Sequence, residues 1–349
     1  MYECKIANRY VGKGHQPFII AEMSGNHNQS LDHALTIVEA AARAGVDAIK
    51  LQTYTADTMT INMNKEEFFI NDSNSLWQGQ TLYDLYKKAY TPWEWHETIF
   101  SKCEQLGMVG FSSPFDVTAV DFLEALNVPA YKIASFENVD IPLIRKVAAT
   151  GKPVFISTGM ATVAVLDEAV QAARSAGCNN LILLKCTSSY PASEIYSNIA
   201  TIPHLADLFN CEVGLSDHTM GLGVPIASVA LGATVIEKHF TMSRTDDGID
   251  SPFSMEPDEM KMLVTEVRKA WRSIGKVSYG PTEGEVSSLQ HRRSIYITED
   301  LNAGEMITEK NIRIIRPGNG LEPKYYDILL GKRVKESVKK GTPVTWKMF

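Results

Sequence analysis

Two histidines occupy matching positions in two short motifs, and they are the residues best placed to do chemistry. Gly214-Leu-Ser-Asp-His-Thr219 carries His218, and Val235-Ile-Glu-Lys-His-Phe240 carries His239. Each motif is an apolar run that ends in polar and ionisable side chains. Two strands bringing two imidazoles to the same end of a barrel would make half of a metal site. Neutral imidazole suits Mn²⁺, Fe²⁺, Co²⁺ or Zn²⁺. Glu22, Glu237 or ligand oxygens could fill the remaining positions, and a shell finished by water and substrate is the mark of an open, catalytic site. Spacing alone leaves the opposite reading open, in which both rings are satisfied core histidines. His27, in a Gly/Asn-rich loop, could equally fix that loop by hydrogen bonding, while His15, His33, His96, His204 and His291 read as structural or surface residues.

Other apolar runs end in ionisable groups as well. The candidates are Glu22, Lys50 with Gln52, Ser113, Lys132 with Ser135 and Glu137, Ser157, Ser188 with Tyr190, and Ser216. Side chains alternate along a strand. Lys50 and Gln52 therefore share a face, as do Ser216 and His218, and Glu237 and His239. Lys238 falls on the face opposite His239, and Lys185 on the face opposite Cys186. Lys132 sits inside an apolar strand, a poor place for a surface lysine. Lysines and hydroxyls from several strands at one mouth would form a cradle for phosphate or carboxylate, with charge from lysine and donors from Ser/Thr and backbone N–H. In the loop after Phe240, Asp250 is a better site candidate than the solvated pair Asp246 and Asp247.

The elements that must position these residues follow from hydrophobic patterning. Eight short apolar runs alternate with helical stretches: Phe18–Ser24, Ala48–Thr53, Met108–Pro114, Tyr131–Ser135, Val154–Gly159, Leu181–Ser188, Val213–Thr219 and Val235–Phe240. Near-continuous apolar runs suit parallel strands buried on both faces. Leu31–Ala44 has helical spacing and stops at Gly45; Pro92 after Thr91 and the segment beginning at Thr162 read as helix starts; Pro257–Ile274 closes the series. Strand and helix repeated eight times predict a (β/α)₈ TIM barrel, whose chemistry sits at the C-terminal strand ends. The long connection Ala56–Tyr90 is expected to be an insertion over the mouth of the barrel.

After Gly275 the character changes. The expected division is a catalytic barrel over 1–278, a turn-rich linker over 279–290 and a small, mainly β domain over 291–349 with β-prone runs Ser294–Thr298, Ile312–Ile315 and Pro343–Trp346.

Composition bounds the function. The 349 residues are 44% hydrophobic and 21% charged, ordinary for a globular protein. A formal net charge of −7 argues against general nucleic-acid binding. No apolar run is long enough for a membrane span, and Met1-Tyr-Glu-Cys-Lys lacks the layout of a signal peptide. Five scattered cysteines without a C-x-x-C pair predict reduced thiols in a cytoplasmic protein.

Taken together, the motifs resemble the sialic acid (N-acetylneuraminate) synthase family. The resemblance is carried by Ala21-Glu-Met-Ser-Gly-Asn-His-Asn28, Lys50-Leu-Gln52, Ser113-Pro-Phe115, Tyr131-Lys-Ile-Ala-Ser135, Ser157-Thr-Gly159, Cys186-Thr-Ser-Ser-Tyr-Pro191, the two histidine motifs and Phe253-Ser-Met-Glu-Pro257. It runs from about residue 17 to the C-terminus, where the tail resembles the family's SAF, or antifreeze-like, domain. Leu51–Thr60, Leu82–Trp95 and Asp246-Asp-Gly-Ile-Asp-Ser251 are similar to the pseudaminic acid branch, whereas the neuraminate branch typically has a shorter Gly-Pro-Asp-His element at the last position.

The resemblance implies condensation of phosphoenolpyruvate with an N-acetylated amino sugar, specifically a diacetamido trideoxy altrose. N-acetylneuraminate or legionaminate synthesis is the alternative within the family, and a non-catalytic carbohydrate-binding barrel the alternative outside it. A metal-dependent hydrolase is disfavoured by the lack of an H-x-H pair. The resemblance makes His218 and His239 ligands of a divalent metal, Mn²⁺ ahead of Mg²⁺ or Co²⁺. It makes Lys132, Ser135, Ser157, Ser216 and Ser113 contacts to phosphoenolpyruvate. Ser188 stands where the neuraminate enzymes often have asparagine. Lys50, Gln52, Tyr190 and Asp250 fall on the sugar side, Glu137 becomes the acid/base or a hydroxyl-orienting group, and Glu22 lies near the metal. Arg316 resembles an arginine sent into the partner's site, which implies a domain-swapped homodimer.

Overall fold

The computed structural model describes residues 4–72 and 75–349. Residues 1–3, the start of the segment read above for a targeting signal, and positions 73 and 74 of the insertion lie outside the described residues. The chain divides into two compact units, residues 1–275 and 276–349.

The first unit opens with two three-residue antiparallel strands, β1 (Cys4–Ile6) and β2 (Arg9–Val11). Eight parallel strands follow: β3 (Phe18–Glu22), β4 (Ala48–Thr53), β5 (Val109–Pro114), β6 (Tyr131–Ile133), β7 (Val154–Ser157), β8 (Leu181–Cys186), β9 (Glu212–Asp217) and β10 (Val235–His239). β10 pairs with β3, so the barrel is closed. These are the eight expected runs, several of them with their last residues released into loops. The release has a backbone cause at two of them. Ser24 has φ of 46° and Gly159 φ of 49°, and a left-handed residue cannot continue a strand.

Apolar side chains fill the barrel below its mouth. Phe18, Ile20, Phe111, Phe155, Ile182 and Leu184 cluster there with Cys4, Ile6 and Val11 of the hairpin. A hairpin with three-residue strands gives too little periodicity to be seen in sequence, yet it completes the packed interior. Outside, the helices bury their apolar faces against the strands in a larger cluster. Helix Leu31–Ala44 is capped by Ser30 Oγ and ends at Gly45 with φ of 87°. Helix Val163–Ser175 is capped by Thr162. Pro92 is not in a first α-turn as expected: it precedes a 3₁₀ turn, Trp93–Trp95, and the α-helix begins at His96.

The Ala56–Tyr90 connection has structure of its own. It contains helices Ala56–Met59 and Leu82–Ala89 and an antiparallel bridge between Phe69 and Thr81.

The second unit pairs β11 (Ser294–Ile297) with β12 (Ile312–Ile315) over a core of Ile295, Ile297, Leu301, Ile307, Ile312, Leu329, Val334 and Val344. The expected run Pro343–Trp346 makes only a single bridge, from Pro343 to Tyr296, before a 3₁₀ turn at Trp346–Met348. Proline has no N–H to extend a ladder. The stretch read as linker contains 3₁₀ turns over Glu283–His291, started by a reciprocal Thr282–Glu285 capping box.

Candidate active site

Strand alternation points the ionisable residues inward at the top layer of the barrel, above the apolar fill. β9 and β10 run in register with Ser216 beside Glu237 and Asp217 beside Lys238. His218 and His239 follow at the strand ends with ring centroids 5.3 Å apart. His218 Nδ1 lies 2.8 Å from the Thr187 carbonyl oxygen. A bond donated there fixes the ring and leaves the lone pair on Nε2. His239 Nδ1 is buried without a hydrogen-bond partner and lies 3.4 Å from Asp250 Oδ2. Burial alone would raise the Asp250 carboxyl; the His239 imidazole and Ser24 outweigh it and hold the group below its usual range.

The donor set fits a divalent cation. Two imidazoles converge, and one of them has an orphaned buried nitrogen. Among the described residues no group of three or more His, Cys, Asp or Glu is arranged as a metal cage, so further ligands would have to be oxygens from water or substrate.

Beside the histidines lies a buried network of alternating charge. Lys132 Nζ donates to Glu237 Oε1 and Oε2 at 2.8 and 3.0 Å. Ser216 Oγ donates to Glu237 Oε1 at 3.0 Å. Lys50 Nζ lies 3.7 Å from Glu237 Oε1, pairs closely with Glu22 and reaches Ser113 Oγ at 3.3 Å. Burial would raise the Glu237 carboxyl, but Lys132 and Lys50 hold it anionic, well below its usual range. Burial works to lower Lys50 as well; Glu22 and Glu237 outweigh it and keep it charged. Lys132 is lowered by burial and by Lys50, against Glu237. The two lysines are therefore not a free positive cradle, as the sequence suggested. They are matched by two carboxylates, and an incoming anion must share them.

The ends of β6, β7 and β8 supply hydroxyls. Ser188 Oγ donates to Ser135 Oγ at 2.8 Å, while Ser157 Oγ is buried without a partner. The chain comes so close at Gly159 that a Cβ there would lie 2.6 Å from Ser135 Cβ and 2.9 Å from Ser188 Oγ. Asn138 Nδ2 donates to the Ser157 and Thr158 carbonyls and ties two mouth loops together. Next to Asn138, Glu137 Oε2 is buried and unpartnered, and burial pushes the carboxyl up to about 7. Gln52 stands in register with Ser113 on β4 and β5.

Tyr190 packs 4.5 Å from His218 and 5.3 Å from Phe253 between ring centroids. Burial raises its phenol, so it stays protonated. Barrel strands and loops thus bring Glu22, Lys50, Ser113, Lys132 and Ser216 together around Glu237, and His218, His239, Asp250 and Tyr190 together in a second group, with Ser135 and Ser188 bonded to each other. Arg316 follows β12 and belongs to the second unit.

Two lysines face away from the mouth, as alternation requires. Lys238 is buried in an ion pair with Asp217 Oδ2 at 2.8 Å. Lys185 Nζ donates to the Cys186 carbonyl and Thr187 Oγ1, both at 3.1 Å. His27 takes the loop-fixing alternative: its Nε2 lies 3.1 Å from Thr91 Oγ1, and burial lowers it to about 4, so it is neutral.

Three contributors were not singled out from sequence, and a fourth, Glu237, was named there only as a possible metal ligand. Glu237 is the hub of the charge network, and its parity with His239 was the available signal. Asn26 holds the Asp250 loop, accepting from the Asp250 N–H at 3.2 Å and donating to the Phe240 carbonyl at 2.9 Å. Cys186 Sγ lies 3.8 Å from Ser188 Oγ, one residue before the Thr187 carbonyl that holds His218. Trp77, in the insertion, donates to the Ile249 carbonyl at 3.2 Å and so reaches the mouth. No periodicity marks the last two.

Known proteins match the chain in both of its units. Residues 37–279 match the model of the NeuB family, and residues 292–349 match that of the SAF domain. The chain is 44% identical over 324 residues to the pseudaminic acid synthase of Campylobacter jejuni subsp. jejuni serotype O:2, covering 93% of this chain and 94% of that one. It is 40% identical over 335 residues to the pseudaminic acid synthase of Helicobacter pylori, covering 94% and 96%. The crystal structure of the N-acetylneuraminic acid synthetase of Leptospira borgpetersenii serovar Hardjo-bovis superposes with a TM-score of 0.74 at 32% identity, over 83% of this chain and 96% of that one. Among the described residues no helix is long and apolar enough to cross a membrane.

Proposed function

The chain belongs to the NeuB family, and from that premise we propose how its mouth works. It is a phosphoenolpyruvate-dependent condensing enzyme with the activity of a pseudaminic acid synthase. The reaction joins phosphoenolpyruvate to 2,4-diacetamido-2,4,6-trideoxy-L-altrose with water, giving pseudaminic acid and phosphate. The observation that carries the mechanism is the meeting of two imidazoles, one with an orphaned nitrogen, and the Glu22–Lys50–Glu237–Lys132 network at one barrel mouth.

Lys132 and the hydroxyls of Ser113, Ser135, Ser157, Ser188 and Ser216 hold the phosphate and carboxylate of phosphoenolpyruvate, while Lys50 stands on the sugar side. The orphaned Ser157 hydroxyl supports this, since a buried hydroxyl without a partner is costly unless a ligand supplies one. Gln52, Tyr190 and Asp250 orient the open-chain sugar. The enol carbon C3 attacks the aldehyde carbon, a C–C bond forms and positive charge develops at C2. Water adds to C2 and the C2–O bond to phosphate breaks, with Lys132 stabilising the departing anion. Glu137 delivers a proton to the aldehyde oxygen or takes one from water; a carboxyl near 7 can do either at neutral pH. A divalent cation on His218 and His239, Mn²⁺ ahead of Mg²⁺ or Co²⁺, would supply Lewis-acid polarisation of the aldehyde.

Carrying out the reaction in ¹⁸O-water tests the bond cleaved: label is expected in the sugar product, and label in phosphate would overturn the scheme. His218→Ala is expected to lose tight Mn²⁺ binding in a paramagnetic-resonance titration; unchanged binding would remove the histidines from the metal site.

We also assign a second copy of the chain as partner. Phe136, Val139, Met160, Ile195 and Tyr196 are exposed on the segments after β6, β7 and β8, and Val163 is exposed at the start of the helix after β7. An apolar rim of this kind marks a covered surface. Arg316, from the second unit of the neighbouring copy, completes the site in this assembly.

A further inference from the structure

The insertion after β4 makes one long-range side-chain bond that a simple packing role does not require. Trp77 Nε1 donates to the Ile249 carbonyl, 172 residues away in sequence. Ile249 immediately precedes Asp250, whose N–H is held by Asn26 and whose carboxylate faces His239. Trp77 therefore grips the same loop that presents a mouth carboxylate. Its ring centroid lies 6.3 Å from that of Tyr190. Tyr190 is 5.3 Å from Phe253, and Phe253 is 5.0 Å from His239. Trp77, Tyr190 and Phe253 form a continuous aromatic wall from the insertion to the imidazoles. Lys50 and Lys132 stand on β4 and β6, away from the strand ends that carry the wall, so the mouth has an apolar flank as well as a charged one.

The two flanks bind different chemistry. Phosphoenolpyruvate is anionic and carries no methyl group, so the aromatic flank has nothing to offer it. Aromatic faces receive C–H groups and leave a hydroxyl pointed at them without a partner, at a cost. A diacetamido trideoxy sugar differs from N-acetylmannosamine in this respect. It has an acetamido group in place of the 4-hydroxyl and a methyl in place of the hydroxymethyl group.

We propose that Trp77 is an acceptor-specificity residue: its indole completes an aromatic wall that receives the methyl-bearing substituents of the sugar and disfavours an acceptor presenting hydroxyls there. This rests on the condensation reaction proposed above. Tyr190 and Phe253 form the fixed part of the wall, and Trp77 is the part brought by the insertion.

The test is steady-state kinetics of wild type, Trp77→Ala and Trp77→Phe, following phosphate release with phosphoenolpyruvate, Mn²⁺ and each sugar in turn. Wild type comes first: no release with either sugar would overturn the reaction itself, independently of Trp77. With wild type active, Trp77→Ala is expected to raise KM for the diacetamido sugar about tenfold or more and to cut its kcat/KM preference over N-acetylmannosamine by a similar factor. KM for phosphoenolpyruvate should stay within about twofold, since that ligand meets the charged flank. Trp77→Phe keeps an aromatic face but loses the bond to Ile249, and is expected to retain most of the preference. An unchanged preference in Trp77→Ala would overturn the proposal. So would a parallel rise in KM for both sugars and phosphoenolpyruvate, the mark of a loop-packing role. Equal loss in Trp77→Phe and Trp77→Ala would also overturn it, by assigning the effect to the Ile249 bond. If Trp77→Ala does not fold, Trp77→Gln, which keeps a donor without an aromatic face, is read by the same criteria.

Discussion

Glu137 is the side chain whose chemistry is most sharply set by its surroundings. Burial leaves one carboxyl oxygen without a partner and pushes the group up to about 7. As a proton donor it is active in its protonated form, so kcat is expected to fall as pH rises through about 7. Glu137→Gln should lose about 10²–10⁴-fold in kcat and should lack that limb of the pH profile. A profile that keeps the limb in the variant would assign the titration elsewhere. The same shift affects stability with a definite sign. A carboxyl raised from 4.5 to about 7 contributes stability that is fully present below 4.5 and is lost as pH rises through about 7. Sequence named Glu137 by its position after β6, but its protonation state is a consequence of desolvation, which only packing creates.

At the level of elements, the mouth is held by bonds between strand ends and loops. Asp217 and Lys238 face each other across β9 and β10 on the side away from the mouth, one residue before each histidine. Asp217 also accepts from the Thr219 N–H at 3.1 Å and from Thr219 Oγ1 at 2.9 Å. Breaking a buried pair from one side leaves an uncompensated charge and costs about 3–5 kcal/mol. Lys238→Met is expected to lose about that much in denaturant unfolding. The double variant Asp217→Asn with Lys238→Met should recover a large part of it, because asparagine can still accept from Thr219 without a buried charge. Equal losses in the single and double variants would show that the two residues are not coupled. The alternation of Lys238 against His239 was legible in sequence and correctly turned the lysine outward. That it would be buried and paired, and not exposed, depended on where the helices cover the barrel.

For the whole molecule, the question is which copy supplies Arg316. The barrel and the SAF-like tail are separate compact units, and Arg316 lies in the second. If Arg316 serves the neighbouring copy, a mixed dimer of Arg316→Ala and His239→Ala subunits contains one intact site and one doubly impaired site. Each parental dimer should be nearly inactive, while the isolated mixed dimer regains roughly half the wild-type rate. No recovery on mixing would mean that Arg316 acts within its own chain or not at all. The exposed apolar rim on the segments after β6, β7 and β8 makes association the expected state, measurable by analytical ultracentrifugation.

The sequence by itself determined the barrel, because eight apolar runs alternating with helical spacing can bury both strand faces in few other ways. It also determined which residues stand at the strand ends, since parity along a strand is a local property. The β1–β2 hairpin escaped it, being too short for a periodic signal, and so did the 3₁₀ turns over Glu283–His291. What only the tertiary structure decided is how those residues meet. Lys50 and Lys132 looked like free cations, but neighbouring strands place Glu22 and Glu237 against them. Nothing in the sequence singled out Trp77, yet it reaches Ile249 across 172 residues of chain. Pairing of charges and long-range contact depend on which strands are neighbours in space, and no pattern within a single strand or loop contains that information.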